Sequence, residues 1–168
     1  MPDCIVPSPV LDDRLSVPKD WIDSNGHMNV ACYLKAFDLA FDEAYRLIGL
    51  TEAHMAEARG TTFAAEHHIT YQRELFQGDP LRIASRLLAF DAKRMHWIQG
   101  MYHREKGYLA ATCEWLILYV DIDRRRVGRF PPEMERRLAV LKAAHDRLPL
   151  PAEVGRRIEF GPRRDRAP

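Results

Sequence analysis

The chain has 168 residues, close to the size of one ordinary domain, and 46% of them are hydrophobic, enough to supply a core. Its 25 lysines and arginines nearly balance 24 aspartates and glutamates, so the overall charge gives no reason to expect nucleic acid or an anionic membrane as a partner. The three cysteines form no C-x-x-C pair, which favours a reducing compartment over a disulfide framework or a zinc site. With no basic and then apolar leader and no apolar run near the ~18 residues of a membrane span, we predict a cytoplasmic protein.

A long helix is predicted near the start of the chain, after a first strand over 10–17 and a turn-rich loop, DWIDSNGHMN, over 20–29. Apolar residues recur at every third or fourth position through 30–48, which is typical of one amphipathic helix about 28 Å long. Asn29 is suited to be its N-cap and Gly49 its C-terminal stop. One helix could therefore span the whole domain.

Four extended segments follow the helix, over 61–72, 81–90, 94–103 and 108–120. The breaks between them are short and rich in turn-forming residues. We therefore predict that the strands pair in sequence as an antiparallel meander.

A last helix is predicted after Pro131 and Pro132, because apolar residues again recur at helical spacing. We predict one domain over 1–150 and an arginine-rich and proline-rich tail over 151–168 that has too few apolar residues to fold alone. Because one helix cannot cover both faces of a five-stranded sheet, we expect pairing with further copies, as a homodimer or a homotetramer.

The loop before the long helix carries the motif Asp-Ser-Asn-Gly-His-Met-Asn at 23–29, followed by Tyr33 and Leu34. Together with the order of one strand, one helix and four strands, this motif resembles the 4-hydroxybenzoyl-CoA thioesterase branch of the hotdog proteins. A second match, Ile-Thr-Tyr-Gln-Arg-Glu at 69–74, resembles the second strand of that branch. The resemblance implies an α+β hotdog fold, a five-stranded antiparallel sheet wrapped around one long central helix, with the C-terminal helix added. It also implies hydrolysis of an acyl-CoA thioester.

Asp23 matches the catalytic carboxylate of that branch, which acts as a nucleophile or as a general base on water. An aspartate in such a loop can also serve only as a turn residue or a cap. The free backbone amides near Asn29 and Val30, at the helix start, are the expected oxyanion donors. Asn25 and His27 lie close enough in sequence to orient Asp23 or a water, although a loop histidine can also bond only to backbone.

The wider string VPKDWIDSNGHMNVACYLKAFD resembles thioesterases of carnitine and betaine catabolism, which implies betainyl-CoA as a substrate. A quaternary ammonium favours an aromatic cage, although aromatic residues at these positions more often belong to the core. The candidates for the substrate pocket are Trp21, Tyr33, Tyr71, Trp97 and Trp115, together with Gly26, which is suited to a sharp turn or a close approach of substrate. Trp21 is also a departure, because many members of the branch carry an acid there.

Lys93 and Arg94 lie in a turn where this branch commonly binds the phosphates of CoA, although two solvated charges would look the same. Successive strand residues point to opposite faces, so His67 and His68 cannot easily share an ion, and we predict no metal. No cofactor is expected either, since CoA is part of the substrate. Three alternatives remain open: a hotdog dehydratase, a non-catalytic acyl-CoA-binding protein, and a purely structural role if Asp23 is only a cap.

Overall fold

Six strands form one antiparallel sheet in the computed structural model, which describes residues 6–158 and 160. The strands are β1 Val10–Asp12, β2 Gly60–Tyr71, β3 Leu81–Phe90, β4 Arg94–His103, β5 Leu109–Asp121 and β6 Arg126–Val127. The helices are α1 Val30–Leu39, α2 Phe41–Ile48, α3 Glu52–Ala58 and α4 Pro132–His145, with a short 3-10 helix over Lys19–Trp21. None of the described helices is long and apolar enough to cross a membrane.

The strand order is β1-β3-β4-β5-β2, with β6 paired to the end of β5. The predicted meander is right for β3, β4 and β5 but wrong for β2, which pairs with β5 and forms an edge of the sheet. Leaving β2, the chain must therefore pass β5 and β4 to reach β3, about 14 Å at the usual strand spacing. The nine residues 72–80 are long enough for this crossing, and Leu75 among them is fully buried.

The predicted long helix is broken at Ala40, whose ψ of −9° departs from helical geometry. No proline or glycine marks this break. It accompanies the packing of Phe41, which begins α2, against Trp97 and Trp115 at ring distances of 5.7 and 5.4 Å. The two ends of the predicted helix are confirmed, since Asn29 accepts a hydrogen bond from the Ala31 amide and Gly49 takes a φ of 85°.

The core lies between the sheet and α1, α2 and α4. One buried polar network crosses it: the Gln99 side chain donates to the Phe37 carbonyl and to Ser85 Oγ, and accepts from Trp115 Nε1. At the end of α4, the Arg86 guanidinium donates to the carbonyls of Leu148 and Pro149. The last helix and the chain just beyond it are therefore fastened to the sheet.

A β-bulge interrupts β2, where the pairing with β5 shifts between Ala64 and Glu66. On the C-terminal side of the bulge His67 lies opposite Trp115, and on the N-terminal side Ala64 lies opposite Ile117. Because Trp115 and Ile117 are two residues apart on β5, they share a face, and so Ala64 and His67 both lie on the face towards the helices. The strict alternation expected from the sequence would have placed Phe63 on that face. Phe63 instead lies on the other face, half exposed, because the extra residue reverses the alternation.

Candidate active site

The loop that carries the motif is a tight turn closed by backbone hydrogen bonds. The Asp23 amide donates to the His27 carbonyl at 3.1 Å, and the Gly26 amide donates to the Asp23 carbonyl at 3.0 Å. Gly26 has a φ of 81°, in the left-handed region that favours glycine, although a Cβ there would meet no other atom. The positive φ is sufficient reason for a glycine at this position, and a close approach of substrate to Gly26 stays a prediction.

The Asp23 carboxylate is half-buried and held on both oxygens. Its Oδ1 accepts from the Asn25 amide at 2.8 Å, the geometry of a turn-forming aspartate. Its Oδ2 accepts from Asn29 Nδ2 across 3.5 Å, a long contact. Because the Asn29 side chain also caps the helix through its Oδ1, it ties the position of the carboxylate to the start of α1. Asn25 takes part through its backbone amide, and no hydrogen bond of its side chain occurs among the described residues.

At the helix start, one amide donates no hydrogen bond to any described residue. The Ala31 amide donates to Asn29 Oδ1, and the Cys32 amide donates to the Asn29 carbonyl. The Asn29 amide was an expected oxyanion donor, but it donates to the Trp21 carbonyl at 2.8 Å, so it is already used. Among the hydrogen bonds of the described residues, none is donated by the Val30 amide. Of the two amides predicted as oxyanion donors, those of Asn29 and Val30, only the Val30 amide therefore stays a candidate.

His27 is held by backbone. Its Nδ1 lies 3.2 Å from the Met28 carbonyl, and its Nε2 lies 3.8 Å from an oxygen of the exposed Glu74. A ring whose Nδ1 donates to a carbonyl keeps Nε2 as the atom that can accept a proton. No hydrogen bond joins the ring to the Asp23 carboxylate within the described part of the chain. Its assignment to the site therefore stays a prediction, and Glu74 is a neighbour that sequence reasoning did not single out.

Three of the predicted aromatic residues gather around the helix start. Tyr71 on β2 points its hydroxyl at the Val30 carbonyl, 3.5 Å away, and its ring packs edge-on against Tyr33 at 5.2 Å. Burial raises the pKa of Tyr33 to about 12. Trp21 is buried and is tied to the helix start through its carbonyl, which accepts from the Asn29 amide, and the Lys35 ammonium lies 5.4 Å from its ring.

Trp97 does not join this group. Its side chain is completely buried, between Phe41 and His145, and offers no surface to a ligand. We therefore place it in the core and not in the pocket. The sequence could not show this, because the alternation along β4 tells which residues share a face but not what that face packs against.

Lys93 and Arg94 form the end of a turn closed by Asp91. Both backbone amides donate to Asp91 Oδ1, and the Arg94 guanidinium pairs with Asp91 Oδ2 at 2.6 Å. This contact with Arg94 holds the pKa of the Asp91 carboxyl below its usual range. The Arg94 charge is therefore already paired, which favours the alternative of a solvated turn.

A cavity lies between the helices and the β2 end of the sheet. Its volume is about 240 Å³, and its walls include Asp38, Phe41, Tyr45, Thr62 and Trp115. Of these, only Trp115 was a candidate from sequence. Asp38 falls on the polar side of the amphipathic pattern over 30–48, and no local signal in the sequence distinguishes it from other surface acids. Elsewhere, no group of three or more His, Cys, Asp or Glu among the described residues could hold a metal ion.

Comparisons with known proteins agree with this architecture. The model of the thioesterase-like superfamily matches residues 17–138. The chain is 33% identical to a betainyl-CoA thioesterase of Pseudomonas aeruginosa, over 85% of this chain and 90% of that one. It is 34% identical, over 89% of its own length, to an L-carnitine dehydrogenase/betainyl-CoA thioesterase of Ruegeria pomeroyi, of which it spans 30%.

Solved structures give the same result. A candidate thioesterase from Pseudomonas putida KT2440 superposes with a TM-score of 0.79 at 29% identity, over 92% of this chain and 99% of that one. A Staphylococcus aureus protein in complex with CoA superposes with a TM-score of 0.86 at 24% identity, over 95% of this chain and 99% of that one. The chain therefore belongs to the thioesterase-like superfamily and is a hotdog-fold thioesterase.

Proposed function

We propose that the protein hydrolyses a short or small polar acyl-CoA to the free acid and CoA, with Asp23 as nucleophile or general base. One observation carries this proposal: the Asp23 carboxylate is tied through the Asn29 side chain to a helix start whose Val30 amide has no partner among the described residues. A carboxylate beside a free helix N-terminal amide supplies both an attacking or activating group and a donor for the developing oxyanion.

The reaction can follow two courses from this arrangement. As a general base, Asp23 takes a proton from a water that attacks the thioester carbonyl, and the oxyanion that forms is stabilised by the Val30 amide. Collapse of this intermediate expels the CoA thiolate, which then takes up the proton. As a nucleophile, the carboxylate attacks the carbonyl itself, expels the thiolate and leaves a mixed anhydride that water hydrolyses. Both courses use the same two groups.

The proposed acyl group is betainyl, as in the names of the relatives. The test compares betainyl-CoA with 3,3-dimethylbutyryl-CoA, in which carbon replaces the cationic nitrogen without a change of shape, and follows release of the CoA thiol. We expect a kcat/KM on the order of tens-fold higher for the cationic ester, because desolvated contacts between a cation and aromatic rings are worth up to ~2 kcal/mol each.

The alternatives predict other results. Equal rates on the two esters would leave a thioesterase without a preference for the betainyl group. Binding without release of thiol would indicate a non-catalytic acyl-CoA-binding protein, and loss of water from a 3-hydroxyacyl-CoA with the thioester intact would indicate a dehydratase.

We also propose that the active form contains at least two copies of the chain. No strand of the described residues lies beside the outer edge of β2, which is 12 residues long, and Tyr71 on this strand is half exposed. Light scattering should give twice the 19.5 kDa of one chain, or four times for a tetramer. An active monomer would contradict this proposal.

For the CoA phosphates, the turn with Lys93 and Arg94 stays the candidate, and its replacement is a direct test. If the two cations bind phosphate, then changing both to Ala should raise KM and weaken the salt dependence of KM, while kcat stays nearly the same. The matched control is Arg124→Ala, which removes an exposed cation from another turn. An unchanged KM in the double variant would show that this turn is only solvated.

A further inference from the structure

Glu74 is an acid beside the motif loop to which neither reaction course gives a role. Its side chain is 63% exposed, and its only ion pair among the described residues is with His27 Nε2, at 3.8 Å. This distance is too long for a hydrogen bond, so no described residue holds the carboxylate tightly. The Glu74 charge is therefore available to a ligand.

The main chain at Glu74 is held from two sides. The Tyr108 hydroxyl donates to the Glu74 carbonyl at 3.1 Å, and the Met28 amide of the motif loop donates to the Leu75 carbonyl at 2.8 Å. Leu75 itself is fully buried. Glu74 is thus attached both to the residue before β5 and to the loop that carries Asp23, which fixes the position of its main chain relative to the site.

Three tyrosines lie around this carboxylate. Burial is the main cause of the raised pKa of Tyr33, and the electrostatic effects of Tyr108, Glu74 and Tyr71 add to it, so the four groups are close together. Tyr33 is buried, and the Arg73 guanidinium already lies over the Tyr108 ring at 5.2 Å. Tyr71 is 49% exposed. Of the three rings, that of Tyr71 is therefore the one with free surface for a cation.

The distance from the helix start to Glu74 suits a betainyl thioester. Val30 lies two residues beyond Met28, whose amide is bonded to the carbonyl of Leu75, the residue after Glu74. At about 3.5 Å per residue, the main chain of Glu74 is within about 14 Å of the Val30 amide. A carbonyl oxygen bound to that amide puts the betainyl nitrogen, two bonds from the carbonyl carbon, about 6 Å away from it. Because a glutamate side chain extends about 5 Å, its carboxylate can contact the cation.

We propose that Glu74 selects a cationic acyl group: its carboxylate is the counter-ion of the trimethylammonium group of a thioester whose carbonyl is bound by the Val30 amide. The exposed ring of Tyr71, whose hydroxyl lies 3.5 Å from the Val30 carbonyl, covers the cation. This inference rests on the proposed thioesterase function and adds the residues that choose its acyl group. Neither residue takes part in breaking the thioester bond, so both act on specificity.

The first test measures the preference, defined as the ratio of kcat/KM on betainyl-CoA to kcat/KM on the neutral isostere 3,3-dimethylbutyryl-CoA. In Glu74→Gln we expect this ratio to fall about three- to tenfold, because only the cationic ester loses a counter-ion. Glu74→Asp keeps the charge and should retain most of the preference, whereas Glu74→Lys should lower the ratio further than Glu74→Gln. The side chain is exposed, so the fold should persist, and thermal unfolding checks this.

Glu57→Gln is the matched control. Glu57 is an exposed acid on α3, before β2, whereas Glu74 follows that strand, so the same charge is removed far from the site. The ratio should not change in this variant. An unchanged ratio in Glu74→Gln, including an equal loss on both esters, would overturn the role of Glu74 and leave the thioesterase function intact. Hydrolysis of neither ester by the unaltered protein would overturn the proposed function, and this inference with it.

The second test concerns the ring of Tyr71. Tyr71→Phe keeps the aromatic face and removes the hydroxyl, whereas Tyr71→Leu removes the face. We expect the ratio of the two kcat/KM values to stay near normal in Tyr71→Phe and to fall severalfold in Tyr71→Leu, because the face of the ring attracts the cation. A normal ratio in Tyr71→Leu, or the same fall in both variants, would overturn the assignment of this ring to the cation.

Discussion

Replacing Asp23 with Asn is expected to lower kcat by at least about 10²-fold while KM changes little. The amide oxygen of Asn can still accept from the Asn25 amide, so the turn should persist, but the side chain no longer acts as a nucleophile or a base. If Asp23 were only a turn residue, Asn would serve almost equally well and turnover would stay near normal. Initial rates of thiol release on the preferred ester measure the difference.

The control for this variant is Asp20→Asn, which removes an exposed acid from the same loop without touching the carboxylate that we place in the site. It should keep normal turnover. A single turnover in heavy-oxygen water separates the two courses, because label in the Asp23 carboxylate requires an anhydride intermediate. Near-normal kcat in Asp23→Asn would defeat both courses, whatever the labelling showed.

The Val30 amide can be removed by Val30→Pro, and we expect this change to lower kcat by about 10²–10³-fold, the usual cost of losing one oxyanion donor. Proline is well tolerated at the first position of a helix, where its missing N–H would have no partner. The preceding residue, Asn29, has φ −61° and ψ 141°, the extended conformation that a following proline requires. Thermal unfolding should therefore be almost unchanged while turnover is lost.

Val30→Ala is the matched control, because it shortens the side chain but keeps the amide. The Val30 side chain is 58% exposed, so its loss removes little packing, and Val30→Ala should retain normal kcat. Normal turnover in Val30→Pro would show that the oxyanion is stabilised elsewhere. Comparable losses in both variants would indicate that the side chain, and not the amide, is what matters.

Local chemistry made much of this protein predictable from its sequence. The bounds of β3 and β4 are those expected, because alternation within a strand and turn-forming residues at its ends are properties of neighbours in the chain. The cap at Asn29 and the stop at Gly49 are confirmed for the same reason. The Asn29 side chain bonds to an amide two residues away, and the positive φ of Gly49 is a property of that residue alone. The motif at 23–29 likewise placed Asp23 beside a helix start.

Tertiary structure decided what depends on residues far apart in the chain. Because β2 pairs with β5, the chain between Tyr71 and Leu81 crosses the sheet, whereas the short break predicted a hairpin between neighbouring strands. The break in the helix at Ala40 accompanies contacts of Phe41 with two strands that are distant in the sequence. The Asn29 amide is not available to an oxyanion because it donates to the Trp21 carbonyl, a contact that the sequence did not predict. The periodicity of apolar residues predicts which residues share a face of a helix or strand. It does not predict what that face packs against, because packing depends on residues that are far apart in the sequence.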